Sequence, residues 1–247
     1  MIKIIKYLTF LIFFYCFESS ANPIISGIST NEINIDTNFH GAQILLFGAK
    51  GDAGNIVIVV RGPKKGYVVT RKQKLFGIWY NGERVKFQDS NSFYALFSSF
   101  NGYDLDKELL SDLEIGSDNL HFKNLDEIPK IKKDEFEVHL IEEMEKKHLY
   151  SPSPRRIDFL DETLFKVMVN FPKNIARGIY TVEIYLLQDD RLLSFQAIPV
   201  YVNQVGFSAK ILDFATKQSM LYGLLSVVIA LVAGFVTNYL FARFVGK

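Results

Sequence analysis

The feature that most constrains this chain is a run of twenty-five residues, Gln218 to Ala242, without one charged side chain. As a helix its apolar centre, Leu221 to Leu240, would rise about 30 Å, the thickness of a bilayer's hydrocarbon core. A membrane span is therefore expected there, and a buried helix of a soluble core is the weaker reading at this length. Tyr222, Tyr239 and Phe241 fall near its two ends, where amphipathic rings favour the interface.

A second apolar run, Tyr7 to Phe17, follows Lys3 and Lys6 and is closed by Glu18, Ser19, Ser20 and Ala21. A basic head, a short apolar stretch and small residues before a cut predict a secretory signal peptide over residues 1–21. An uncleaved anchor is the weaker alternative, because Glu18 ends the run well short of the ~20 residues a span needs. Cys16, the one cysteine of the chain, would leave with the signal and take disulfide and thiolate chemistry with it. Lys210 and Lys217 before the C-terminal run balance Arg243 and Lys247 after it, so the signal sets the orientation. The expected organisation is a periplasmic domain over residues 22–212, then an inner-membrane anchor and a short cytoplasmic tail over residues 213–247.

Charge narrows the function classes. With 28 Lys plus Arg against 27 Asp plus Glu, the chain lacks the basic excess of a nucleic-acid-binding domain. At 49% apolar and 14% aromatic residues, it has ample material for an ordered core.

Short alternating patterns dominate the middle. Ile33 and Ile35, Gln43 to Gly48, and the β-branched run Asn55 to Arg61 read as strands. Tyr67 to Leu75 and Gly77 to Tyr80 follow and lead into Asn81-Gly82, a dipeptide favoured in two-residue hairpin turns. Val85 and Phe87 would continue on the return strand, and Phe93 to Phe97 supplies another. Further on, Phe165, Val167, Val169 and Phe171 share one face of a strand, as do Tyr180, Val182, Ile184 and Leu186. Asp189-Asp190 then turns the chain into Arg191 to Val202. About ten short strands predict a mainly β fold, an immunoglobulin-like β-sandwich. Its expected core contains Ile56, Ile58, Val60, Trp79, Phe93, Val167, Val169, Tyr180, Val182 and Ile184.

Residues 101–156 differ in composition and read as a helical insertion. Asp134 and Glu137 have the spacing of a capping box, and Phe136, Leu140 and Met144 make one apolar stripe. The helix should end near Tyr150, before Ser151-Pro152-Ser153-Pro154.

Several segments together carry a family resemblance: Phe39-His40-Gly41-Ala42 with Leu46-Phe47-Gly48-Ala49, Ile56 to Pro63 ending in Arg-Gly-Pro, Gly77-Ile78-Trp79, and Ser92-Phe93-Tyr94-Ala95. Leu149-Tyr150, Leu164-Phe165, Gly178-Ile179-Tyr180 and Leu221-Tyr222-Gly223-Leu224-Leu225 complete the set. With these the chain resembles the alphaproteobacterial putative transmembrane protein family along essentially its whole length. The resemblance implies an inner-membrane anchor and a periplasmic domain, and it supplies no activity. It also implies a neighbourhood with sulfite-exporter-like membrane proteins, and hence a transporter-accessory role.

No catalytic set, metal site or cofactor motif stands out. His139, Glu142 and Glu143 share a helix with His148 near its end, but the two histidines lie nine residues apart, not three or four. A solvated, charge-laced helix is the stronger reading. No Gly-x-Ser-x-Gly elbow occurs, and Gly48, Gly51 and Gly54 precede a strand rather than a phosphate-cradling helix. Two features exceed background. Arg61, Lys64, Lys65, Arg71, Lys72 and Lys74 place six cations in fourteen residues without an acid among them. This predicts a positive patch, read either as a binding segment or as a lysine-protected edge hairpin. An aromatic group around Trp79, Tyr80, Phe93, Tyr94 and Phe97 reads mostly as core, with one or two rings left as contact anchors, and Trp79 joins the six cations as a candidate binding residue. The expected function is a non-catalytic, membrane-anchored interaction module for an integral inner-membrane partner. The alternative is a periplasmic small-anion binder or enzyme using Arg61 to Lys74.

Overall fold

Strict alternation along the strands decides the architecture. The computed structural model describes residues 24–51, 53–100, 107–124 and 130–244; the expected signal peptide, with Cys16, lies outside them. The strands are β1 (Ile24–Ile28), β2 (Glu32–Ile35), β3 (Gly41–Lys50), β4 (Asn55–Arg61), β5 (Lys64–Leu75), β6 (Ile78–Asn91) and β7 (Tyr94–Ser98). After an insertion come β9 (Arg155–Arg156), β10 (Asp158–Phe159), β11 (Leu164–Pro172), β12 (Gly178–Gln188) and β13 (Arg191–Gln204). The insertion holds α1 (Lys107–Asp112), a single 3-10 turn, β8 (Lys123–Asn124) and α2 (Lys130–Lys146); α3 (Phe207–Lys217) and α4 (Ser219–Phe244) close the chain.

A four-stranded sheet in the order β1-β3-β11-β10 faces a six-stranded sheet in the order β2-β13-β12-β4-β7-β9. Between them lie Ile44, Leu46, Phe165, Val167, Val169 and Phe171 from one sheet and Ile56, Ile58, Val60, Phe97, Tyr180, Val182 and Ile184 from the other, all buried. Phe171 bridges the layers, its ring 5.2 Å from that of Phe93 and 5.6 Å from that of Tyr180. The fold is thus mainly β, a sandwich followed by one apolar helix.

β4 departs from simple alternation, because Val57 and Val59 are as buried as their neighbours. Strands covered on both faces read as continuous apolar runs. The second cover is the insertion, which sets Ile115 and Leu120 into the same apolar cluster. In α2, Phe136, Leu140 and Met144 are buried as the stripe implied. The helix nevertheless begins four residues before Asp134, which therefore lies in its second turn and caps nothing. It ends at Lys146, and Leu149 and Tyr150 return to β7, where Tyr94 donates its backbone N–H to the Leu149 carbonyl.

One more correction concerns a turn. β5 and β6 reverse at Phe76-Gly77, with φ of 49° and 85°, and not at Asn81-Gly82. That dipeptide sits within β6 beside a register shift, where Thr70 pairs Arg84 but Lys72 pairs Asn81. Two β6 residues, Gly82 and Glu83, oppose Arg71 there, which makes a bulge.

Candidate functional site

The six cations and Trp79 lie along one hydrogen-bonded ladder. Arg61 pairs Tyr94 across β4 and β7. Beyond it the Gly62 amide donates to the Phe93 carbonyl at 2.8 Å, and the Ser92 amide donates to the Pro63 carbonyl at 3.0 Å. Lys64 then pairs Asn91, and pairing runs to Leu75 opposite Ile78. The β4–β5 and β6–β7 segments are therefore one long ribbon, rooted in the core at one end and free at the other. Gly62 makes the passage possible, since a Cβ there would lie 2.7 Å from Ser92 Oγ and 2.8 Å from the Phe93 amide nitrogen.

At the root, Arg61 is consumed by internal contacts. Its Nε donates to Glu183 Oε2 at 2.8 Å, Nη1 to Glu114 Oε2 at 3.4 Å, and Nη2 to the carbonyls of Leu113 and Glu114 at 2.8 and 3.3 Å. Its guanidinium also lies 5.5 Å from the Tyr94 ring centre. Burial opposes the charge, but the hydrogen bond and charge of Glu183 outweigh it and hold the guanidinium above its ordinary pKa. Tyr94 completes the clasp by donating its hydroxyl to the Glu114 carbonyl at 3.0 Å and accepting the Gly116 amide at 2.8 Å. Burial pushes this phenol up to about 12. The arrangement latches loop residues 113–116 onto the six-stranded sheet, and its charge is met by carboxylates of the same chain.

Midway, Arg71 pairs Glu135 in the second turn of α2 and lies 5.6 Å over the Phe136 ring. Arg71 and Lys72, as strand neighbours, point to opposite sides of the ribbon. Arg61, Arg71 and Lys72 therefore do not converge in one pocket, and two of the six cations, Arg61 and Arg71, are paired with carboxylates of the same chain. Lys64, Lys65, Lys72 and Lys74 remain exposed.

At the tip, Phe76 is 96%, Ile78 73%, Trp79 65% and Leu75 57% exposed. This overturns the assignment of Trp79 to the core, whereas Phe93, Tyr94 and Phe97 of the same aromatic group are buried. Lys74 Nζ stands 5.7 Å from the Trp79 ring centre, and the Tyr80 hydroxyl donates to Gln73 Oε1. Among the described residues no group of three His, Cys, Asp or Glu is placed to hold a metal. His139 and Glu142 approach to 3.3 Å on the exposed side of α2.

Ser219–Phe241 within α4 is long and apolar enough to cross a membrane, with none of it buried against the rest of the chain. A β-sandwich carried on a C-terminal membrane helix, the one such helix among the described residues, is the class that these elements define. The family described as Putative transmembrane protein (Alph_Pro_TM) matches residues 23–243, and the chain belongs to it. No curated protein matches the sequence.

Proposed function

We propose that this chain is a non-catalytic interaction module held at a bacterial inner membrane by one helix, its β domain in the periplasm and its last residues in the cytoplasm. Residues 1–21 direct export on this reading, and residues 22–212 form the exported domain. Its partner is an integral membrane protein of the same bilayer, with a sulfite-exporter-like transporter as the class the family resemblance suggests. The observation that carries the reading is the wholly unburied span, joined to the last core strand through α3 alone. Such a tether holds the domain at high effective concentration near any partner in that membrane, so a modest interface suffices. The engagement of Arg61 by Glu183 and Glu114 argues against a small-anion site built on the basic segment.

Topology is tested with a reporter fused after Lys247, expected to behave as cytoplasmic, and one replacing the anchor at Lys217, expected to be exported. Partnership is tested by affinity purification of the full chain in mild detergent with mass spectrometry. Recovery of a polytopic membrane protein in near-equal amount is expected. Recovery of soluble periplasmic proteins alone would overturn the assignment.

A further inference from the structure

We propose that the ribbon tip, Leu75 to Tyr80, dips into the headgroup region of the same anionic bilayer that the C-terminal helix crosses. This rests on the reading that α4 places the domain at a membrane.

Chain direction puts the two features together. β4 is antiparallel to β12, and β12 is antiparallel to β13, so β4 and β13 run the same way and leave the sheet at the same end. From that end β13 continues through Gly206 into α3 and the membrane helix, while β4 continues through Gly62-Pro63 into β5. The twelve residues of β5 can extend about 40 Å from there. α3 itself leaves Phe207 and Ile211, one turn apart, exposed on one face, with Lys210 and Lys217 to one side of them.

The composition of the tip fits an interface. Leu75, Phe76, Ile78, Trp79 and Tyr80 are contiguous and exposed on both sides of a two-stranded ribbon. Nothing within the fold requires them there, and they would lower solubility if left in water. Trp and Tyr favour the headgroup level, where one end of the ring stays wet. From Lys72 to Asn81 there are two lysines and no acid, so the segment approaches anionic headgroups without repulsion. Lysines can lie along apolar surface while keeping the ammonium in water.

Strain points the same way. The first position of this turn type favours Asn or Gly, because φ is positive there. Phe76 occupies it at φ 49°, a conformation that is an outlier for a bulky side chain. Strain of this kind is retained at sites of contact and function. β8 extends the sheet only at Phe87 and Gln88; among the described residues the tip from Leu75 to Tyr80 pairs only across β5 and β6, so its outer backbone groups would be prohibitive in hydrocarbon and harmless among headgroups. The depth is therefore interfacial, with Trp79 near the boundary between headgroups and acyl chains.

Trp79 is the only tryptophan of the chain, so its fluorescence reports this one site. The full chain is reconstituted at one copy per nanodisc in phosphatidylethanolamine and phosphatidylglycerol, with or without acyl-brominated lipid. Expected are at least twofold quenching by the brominated lipid and at least twofold protection from iodide relative to the chain in urea. The double variant Phe76→Ser, Ile78→Ser should lose most of that quenching while staying in the disc through an alkaline wash. An unquenched, iodide-accessible Trp79 in the unaltered chain overturns the proposal. So does quenching or iodide protection that appears only with several copies per disc, which would mean that a second copy covers the tip. Release of the chain by the wash would instead refute the anchoring on which the proposal rests, and so distinguishes the two failures.

Discussion

The two ends of one ribbon obey opposite rules. At the root, Arg61 sits among Glu183, Glu114 and two carbonyls beneath the insertion, and its charge is answered within the chain. At the tip, Lys74 stands over the Trp79 ring and both side chains are exposed. Residues of similar type thus serve structure where a second layer covers the strand and stand free where none does. Burial, more than residue type, decides which cations and aromatics are available to a partner.

The largest effect that could break this contrast is at the root. Replacing Arg61 with Ala leaves the partly buried Glu183 with only the Tyr185 hydroxyl in place of its cation, which should cost about 3 kcal/mol. Denaturant unfolding of the full chain in detergent would measure it, and Lys74→Gln, which should change stability by less than about 0.5 kcal/mol, is the control. Equal effects at the two positions would abolish the distinction.

The next effect is a pH dependence. Burial raises the Tyr94 phenol to about 12, above the ~10 of an unfolded chain. A raised folded value means its contribution is whole below pH ~10 and is lost as pH climbs through the folded value. Ionisation also removes the proton that Tyr94 donates to the Glu114 carbonyl. Tyr94 should contribute about 2 to 3 kcal/mol of the loss over that window, beside the phenols of Tyr150, Tyr180 and Tyr185, which burial also raises, and Tyr94→Phe should flatten part of the alkaline slope measured by unfolding at successive pH values. An unchanged slope would detach Tyr94 from the root.

A smaller change is expected midway. Arg71→Gln removes a half-exposed pair with Glu135 and a ring contact with Phe136, together worth about 1 kcal/mol. Salt should screen part of this loss, so the variant and the parent should converge at high ionic strength. At the tip the sign reverses: Phe76→Asn suits the positive φ and should stabilise the fold by about 0.5 to 1 kcal/mol. If it also lowers bromolipid quenching of Trp79, the parent sequence retains strain there for contact.

The sandwich was legible where alternation was clean, as in β11 and β12, and where Asp189-Asp190 announced a turn by chemistry suited to positive φ. The span was legible from length alone. Phe76-Gly77 hid its turn because phenylalanine is a poor turn residue, while Asn81-Gly82 nearby offered a better one and was absorbed by a bulge. Trp79 misled because large aromatic rings are usually buried, and nothing local tells a strand that its sheet has ended. Arg61 stood out in the sequence only as one of six clustered cations. Its partners Glu114 and Glu183 lie 53 and 122 residues away in sequence, beyond the reach of a count of neighbouring charges. β1 was missed because its five residues include only three apolar ones, and its pairing with β3 is what defines it.

The order in which strands are made also matters. β3 lies between β1 and β11, and β4 lies between β7 and β12, so each has one early and one late neighbour. β2 waits for β13, its parallel partner and the last strand before the anchor. A growing chain can close the β4–β7 ribbon early, since those contacts are nearly local, but it cannot cover Ile44, Leu46 or Ile58 until residues 164–204 exist. Non-local pairing of this kind folds slowly and leaves apolar strands exposed meanwhile. Synthesis of the membrane helix follows at once, so completion of the core and arrival at the bilayer fall within the same few seconds of the protein's life, at ~5 to 20 residues per second.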